Sequence, residues 1–518
     1  MKNSASSKAV RTISFMAVII FCAKLMGLLR ETLIASVYGQ GFESDILNTA
    51  TQIPLLFFDM TLGVAILSTF IPVFNTFLER DGKIRAMKFA NSFLATVVII
   101  SSLAAIIGMI FAYPLVRLMV PGYSAEKVAA TATLLRVLFP SIVFTAAAYT
   151  AVGILQSFGE FNIPSIISVV SNLIMILYLV FVGDRFSLLG VVISMVIAWA
   201  SQLIIQIPHL LKSGWRWSFG FSLRDKGIRD AAKLALPVLI SSWIQPLCVV
   251  INMAFSSSMG DGAVSGLNWA NKIYIIMVGV FAYAVTNFIF PRLSRLGSGS
   301  RNNEFKETTR ISLGWIIFII AYVSAMFVAL SKPIIKIIFE YGAFSAKNTE
   351  TTAVALLFYS FGMVGYAICE ILNKSFYALR DGKTPMFTAA FGIFMNLVSA
   401  FVLVKLFKMG IGGLALASAV SSLAMAMVLL YMINKKESGT ITGNFIKNTA
   451  KTVASAIVCG IVAFLCYTLL SPDQMGRILN FILCGASAGV ALILYLLLSF
   501  VLKIDEFDQI RRFIHHEK

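Results

Sequence analysis

The sequence predicts an all-α polytopic membrane protein with about 14 transmembrane helices, arranged as two six-helix repeats plus two C-terminal helices. Three observations lead to this fold class. Of the 518 residues, 58% are hydrophobic and only 13% are charged, with a mean hydropathy of +0.87, whereas soluble chains are about 45–50% apolar. Apolar runs long enough to cross a bilayer recur from end to end. Finally, landmarks of the first half return about 220 residues later.

Fourteen spans can be placed on these apolar runs. With both termini in the cytoplasm, most Lys and Arg residues fall in inner loops, and shifting the assignment by one helix inverts this bias. The first run follows Lys2, Lys8 and Arg11 but is too long for a signal peptide and lacks a cleavage site, so it is predicted to remain as a span. The predicted spans are residues 10–38, 47–78, 86–112, 128–157, 161–182, 187–210, 230–258, 263–290, 308–330, 350–378, 384–406, 411–434, 448–470 and 476–501.

The internal repeat defines the predicted domains. The matching landmarks are LNTATQI at 47–53 with LNWANKI at 267–273, Pro72 with Pro291, and Pro164 with Pro385. Because each unit has an even number of helices, the two copies share one orientation in the membrane. The sequence thus predicts an N-terminal lobe at 1–220, a C-terminal lobe at 221–440, and two further helices with a cytoplasmic tail at 441–518.

Charge and motif content disfavour several functions. The net charge of +18 is explained by inner loops facing anionic lipid headgroups, so no nucleic-acid partner is expected. The six Cys and three His residues are scattered without metal-ligand spacing, and no phosphate-binding loop is present. An intramembrane enzyme needs clustered acids, His residues or a metal near one interface, which this pattern does not offer. We therefore expect neither an enzyme nor a resident metal or cofactor.

Charges within the first two spans suggest a polar cavity. Lys24 lies deep in the first span, where an uncompensated charge costs about 2.5–3.5 kcal/mol on insertion scales. Glu31 is seven residues later, on the same helical face, and Arg30 widens that face. On the second span, Asp45 lies at the outer mouth and Asp59 at a depth comparable with Lys24. A Lys24–Asp59 ion pair is the structural alternative to a binding role.

The second lobe contributes comparable charges. Lys272 lies on the eighth span, and Glu370 and Lys374 are one turn apart on the tenth. Glu370–Lys374 is favoured as a structural ion pair, whereas Lys24 and Lys272 are favoured as substrate contacts. Because cations outnumber acids at this depth, the predicted cavity suits an anionic substrate.

Several segments then resemble the MurJ (MviN) family. They are Ala23–Glu31, Tyr38-Gly39, Asp45, Pro54, Phe70-Ile71-Pro72, Pro121-Gly122, the Phe158–Pro164 turn, Phe376-Tyr377 and Lys383-Thr384-Pro385. This resemblance covers essentially the whole chain. It implies a lipid II flippase of the MOP exporter superfamily in the bacterial cytoplasmic membrane, which moves an undecaprenyl-pyrophosphate-linked precursor to the outer leaflet by alternating access.

The resemblance also implies residue roles. It makes Lys24, Arg30 and Lys272 substrate-binding cations and Asp45 an outer-gate acid, while Glu31, Asp59, Glu370 and Lys374 are assigned to gating or ion pairing. Lys24 and Lys272 stand where the family often has Arg, and Phe57-Phe58 replaces an Arg pair. These departures remove planar guanidinium groups that bind phosphate through two nitrogens.

Some alternatives stay open at this point. The chain could flip another lipid-linked oligosaccharide or act as a different MOP-type exporter, although a cationic cavity disfavours cationic drugs. Coupling to a monovalent cation or to the membrane potential is left open. Expected partners are lipid II, membrane lipids and other cell-wall synthesis proteins.

Overall fold

In a computed structural model, every regular element within the described residues is helical. The structure describes residues 2–58, 63, 66–183, 185–218, 220, 227–232, 244–297, 302–470 and 476–516. The chain divides into two compact units, Met1–Ser265 and Gly266–Lys518. The domain limits at residues 220 and 440 come from the internal repeat of the sequence, and they stay predictions.

In the first unit, residues 227–232 are helical, and the structure also gives the bounds of eleven α-helices and the start of a twelfth. They are α1 (Lys2–Tyr38), α2 (Phe42–Phe58), α3 (Ile71–Arg80), α4 (Gly82–Ile110), α5 (Ala112–Met119), α6 (Ala125–Leu138), α7 (Ser141–Ser157), α8 (Asn162–Phe181), α9 (Ser187–Ile204), α10 (Ile207–Lys212), α11 (Ile244–Ser256) and α12 (Ala263–Gly297). A π-helical turn, Ile66–Phe70, precedes α3.

The second unit contains most of α12 and the remaining helices. These are α13 (Asn302–Ala329), α14 (Ser331–Phe339), α15 (Ala346–Ser360), α16 (Met363–Ala378), α17 (Lys383–Phe401), α18 (Gly410–Lys436), α19 (Gly443–Leu470), α20 (Arg477–Val501) and α21 (Asp505–His516). A second π-helical turn, Val402–Leu406, follows α17.

The order of helices repeats along the chain. The long helix α4 is followed by the short α5, and 220 residues on the long α13 is followed by the short α14. The pair α6 and α7 likewise returns as α15 and α16, which are bent by 45° at the break between them. Helices α8 and α9 are matched by α17 and α18.

Ten helical segments in the described residues are long and apolar enough to cross a membrane, or eleven if the bent α15–α16 pair is one span. The all-α polytopic membrane fold is therefore confirmed, while the count of fourteen stays a prediction. Two predicted spans, 47–78 and 230–258, lie partly outside the described residues. Helices α8, α18 and α20 nevertheless begin and end within two residues of predicted spans, because hydropathy sets where a chain can leave the bilayer.

Each unit has its own apolar core. In the first, Phe70 stacks on Phe74 and Phe89, with ring centroids 5.3 and 5.6 Å apart. In the second, Tyr495 on α20 packs on Phe318 of α13 at 5.0 Å and donates a 2.8 Å hydrogen bond to the Phe318 carbonyl. Buried aromatic contacts of this kind hold neighbouring helices of each unit together.

Candidate functional site

A buried polar cluster lies in the first unit around Asp45, whose side chain is fully buried. One carboxylate oxygen, Oδ2, accepts from Lys127 Nζ and from the Gly262 N–H, both at 2.8 Å. The other, Oδ1, accepts from the Ser265 N–H at 2.8 Å. We call Asp45, Lys127, Asp261, Gly262 and Ser265 the outer cluster, after the outer position that the sequence predicts for Asp45.

The local sequence puts Asp45 and Lys127 of the outer cluster in the first turns of their helices. Asp45 lies in the first turn of α2, where a negative charge is favoured by the helix dipole. Ser124 caps α6 by accepting a hydrogen bond from the Lys127 N–H, so Lys127 is fixed in the first turn of that helix. The Lys127 ammonium then reaches Asp45 at 2.8 Å and Asp261 at 2.7 Å.

The loop that precedes α12 completes the outer cluster. Gly262 adopts φ +86°, a conformation that favours glycine, and this turn points its N–H at Asp45. Ser265 lies in the first turn of α12, where backbone N–H groups have no partner within the helix. Asp45 supplies that partner from another helix, so it ties α2 to the start of α12.

The burial of the outer cluster is uneven. Lys127 is only 4% exposed, whereas the Asp261 side chain is 62% exposed. Tyr123 lies against the ammonium, with its ring centre 4.3 Å from Lys127 Nζ, and its hydroxyl is 2.9 Å from that of Thr49. The outer cluster therefore contains a buried ion pair, Asp45–Lys127, and one largely exposed carboxylate, that of Asp261.

A second polar group lies on α1. Arg30 donates from Nη2 to Glu31 at 2.7 Å and from Nη1 to Asn172 at 3.0 Å. Asn172, on α8, also donates to the Ala23 carbonyl at 3.2 Å, so one amide joins two points of α1. Within the described part of the chain, the buried Arg30 Nε–H has no hydrogen-bond partner. The guanidinium is thus held in place with its buried Nε–H unused.

The remaining predicted residues are distributed as follows. Lys24 is half-buried on α1, and Lys272 is half-buried on α12 in the second unit. Glu370 and Lys374 are half-buried on α16, and the Lys374 ammonium lies 5.4 Å from the centre of the Phe290 ring. Asp59 lies outside the described residues. The binding, gating and ion-pairing roles of these side chains stay predictions.

Sequence reasoning found Asp45, Arg30 and Glu31 but missed their partners. Lys127 was not singled out among the charged residues. Asp261 was missed in a loop, and Asn172 within an apolar run. A helix-capping serine three residues before a lysine was the available signal for Lys127, but it does not reveal which acid the lysine meets.

Long apolar helices in repeating order, with cations and acids held among them, define a multi-pass membrane protein of the transporter class. The profile of the family described as "Lipid II flippase MurJ" matches residues 34–476. The chain belongs to this family.

Individual relatives agree with this assignment. A protein of Buchnera aphidicola subsp. Baizongia pistaciae named "Probable lipid II flippase MurJ" is 25% identical over 494 residues, covering 93% of this chain and 95% of that protein. The structure titled "Lipid II flippase MurJ, inward closed conformation" superposes with a TM-score of 0.78 at 22% identity, covering 95% of this chain and 99% of that one. An inward-facing MATE family transporter of the MOP superfamily gives 0.68 at 15% identity, covering 82% and 98%. These structural likenesses establish the shared fold.

Proposed function

We propose that this chain flips lipid II from the inner to the outer leaflet of the bacterial cytoplasmic membrane by alternating access. The observation that carries the proposal is the family match, which extends over residues 34–476. The reaction involves movement rather than covalent chemistry, so the protein acts as a transporter and not as an enzyme. Its product on the outer leaflet supplies peptidoglycan synthesis, and thereby cell wall formation and cell shape.

The proposal assigns the substrate pyrophosphate to the cations Lys24, Arg30 and Lys272. The open Nε–H of Arg30 supports this role, because a buried donor without a partner costs about 1–3 kcal/mol that an anionic ligand recovers. Glu31 and Asn172 hold the guanidinium in one orientation before the ligand arrives. Lys24 lies two turns earlier on the same helix as Glu31.

The outer cluster is proposed as the exit gate. With Asp45 bound to Lys127 and to the start of α12, the outer ends of α2, α6 and α12 are held together. Opening requires these bonds to break, and water then solvates the separated charges. Each charge that moves through the membrane field contributes about 2.3 kcal/mol per 100 mV, so a cationic cavity can couple the cycle to the membrane potential. A monovalent cation at Asp59 or Glu370 is the alternative coupling.

The test is a leaflet-resolved measurement of lipid II in a strain depleted of its own flippase. Wild-type protein should restore outer-leaflet lipid II and growth, whereas Lys24→Ala combined with Lys272→Ala should abolish both while remaining inserted. Arg136→Ala is the matched control, because Arg136 is exposed and its Nε donates to the Met109 carbonyl at 3.3 Å. If a different lipid-linked oligosaccharide accumulated instead of lipid II, that compound and not lipid II would be the substrate.

A further inference from the structure

Two aromatic rings lie beside the Lys127 ammonium in the outer cluster. An ammonium has three N–H donors, and carboxylates take two of them here, since Nζ lies 2.8 Å from Asp45 Oδ2 and 2.7 Å from Asp261 Oδ1. The ring centres of Tyr123 and Phe42 lie 4.3 and 5.6 Å from the same nitrogen. A cation within about 6 Å of a ring centre is attracted by the π electrons of the ring. Tyr123 is therefore the closer aromatic partner for the donor that the carboxylates leave.

The Tyr123 ring is held by two other parts of the first unit. Its hydroxyl forms a 2.9 Å hydrogen bond with that of Thr49 on α2, and the residue is only 4% exposed. The preceding residue, Gly122, donates its N–H to Ser257 Oγ at 3.0 Å, just after the end of α11. A Cβ at Gly122 would lie 2.5 Å from the Ser258 backbone nitrogen, so these two segments touch. The ring therefore leaves Lys127 only if contacts at both points break.

The Tyr123 phenol adds no charge of its own to the outer cluster. Burial raises the pKa of Tyr123, the Asp45 and Asp261 carboxylates raise it further, and the hydrogen bond with Thr49 opposes them only in part. The phenol thus keeps its proton at neutral pH, and the ring attracts the ammonium through its π electrons alone. This attraction is strongest where water is excluded, and Lys127 is only 4% exposed.

We propose that Tyr123 is a positioning residue of the outer cluster, whose ring keeps the Lys127 ammonium between the two carboxylates and so sets how tightly the cluster closes. The inference rests on the proposed exit gate and names the side chain that holds its lysine. The Asp261 side chain is 62% exposed, so water competes for its half of the lysine contact. An aromatic ring attracts a cation over its face but not at its edge. The buried Tyr123 ring therefore fixes where the lysine side chain ends.

Labelling of a cysteine beside the cluster tests this proposal in the purified full-length chain. Ala263 is 6% exposed, so Ala263→Cys should react with a dilute maleimide in proportion to the fraction of open molecules. Tyr123→Phe should speed labelling about fivefold, because the hydrogen bond with Thr49 is lost. Phenylalanines with one, two and three ring fluorines at position 123 keep nearly the same shape but lose π-electron density. Relative to Tyr123→Phe, labelling should rise stepwise to about 30-fold, the factor for a desolvated cation–π contact.

The Lys127→Met background separates this contact from ordinary packing. If the ring acts on the ammonium, the same fluorinated series should leave the labelling rate of this background unchanged. Trifluorinated phenylalanine in place of Phe139 is the matched control, because this buried ring at the end of α6 lies about 18 Å along the helix from Lys127. Labelling of the six native cysteines is subtracted using the same variants without Ala263→Cys.

Two results would overturn the proposal. One is an equal labelling rate across the fluorinated series at position 123, and the other is the same rise in the Lys127→Met background, which would assign the effect to packing. The measurement does not involve lipid II. A failure of the flippase proposal in the transport assay is therefore distinguished from a failure of this one.

Discussion

Replacing Lys127 with Met is the sharpest test of the outer cluster. The substitution keeps the length of the side chain but removes the ammonium that Asp45 meets at 2.8 Å. Removing one partner of a buried ion pair costs about 3–5 kcal/mol, because the other charge is left without compensation. Asp45 keeps two backbone N–H donors, from Gly262 and Ser265, and these offset part of that cost.

The expected cost to the closed outer cluster is therefore about 2–3 kcal/mol, below the full value for an uncompensated charge. Such a change raises the open-to-closed ratio roughly 30- to 150-fold. Asp261→Asn should have a much smaller effect, because the Asp261 side chain is 62% exposed and water already solvates its charge.

Cysteine accessibility measures this ratio. Ala263 is 6% exposed beside the cluster, so Ala263→Cys should react slowly with a membrane-impermeant maleimide added outside intact cells. Adding Lys127→Met should accelerate labelling of this cysteine roughly 30- to 150-fold. Lys332→Met is the control, because both side chains of the Lys332–Glu350 ion pair are exposed. Labelling of the six native cysteines is subtracted using Lys127→Met alone. An unchanged labelling rate would refute the reasoning.

Three further substitutions probe other parts of the chain. Arg30→Lys keeps the positive charge, but a single ammonium cannot replace the two guanidinium nitrogens that donate to Glu31 and Asn172. We therefore expect the free energy of unfolding to fall by about 1–2 kcal/mol and the variant to restore growth of a flippase-depleted strain less well. Gly122→Ala should destabilise by about 1–3 kcal/mol, because its Cβ would lie 2.5 Å from the Ser258 backbone nitrogen. Burial raises the pKa of Asp381, but the Lys436 ammonium at 2.7 Å and bonds from Thr384 outweigh it and hold the pKa at about 2. Asp381→Asn should therefore lower stability by about 1 kcal/mol at neutral pH, after discounting for the exposed Lys436.

For each of these three substitutions, one result would contradict the expectation. A depressed carboxyl pKa gives stability that is present above about pH 4 and is lost as the pH falls toward 2, so the difference in melting temperature between wild type and Asp381→Asn should vanish there. A difference in melting temperature that stays constant with pH would contradict the lowered pKa of Asp381. Gly485→Ala on α20, where a Cβ would meet nothing within 4 Å, is the control for Gly122→Ala, and equal melting temperatures of the two variants would contradict the clash. Full complementation by Arg30→Lys would show that charge alone suffices.

The sequence predicted the helices better than the site. Span limits follow from hydropathy, a local property, so α8, α18 and α20 begin and end within three residues of their predicted limits. The ion pairs that Lys127 makes with Asp45 and Asp261 are set by tertiary packing instead. Lys127 is 82 residues from Asp45 and Asp261 is 134 residues beyond Lys127, and no periodic pattern links them. The short helices α5 and α14 were also missed as helices, because nine residues or fewer leave little periodicity to read.

The composition of α12 has a consequence for how the protein is made. Among the candidate spans in the described residues, its segment Ala263–Ala282 is the least hydrophobic, and it contains Lys272. Its buried Trp269 packs against Phe339 and Phe344, with ring centroids 5.6 Å away in both cases. These aromatic partners leave the ribosome about 70 residues later, several seconds at 5–20 residues per second. We expect α12 to wait at the insertion machinery until α14 arrives, whereas the more hydrophobic α19 and α20 enter the lipid on their own.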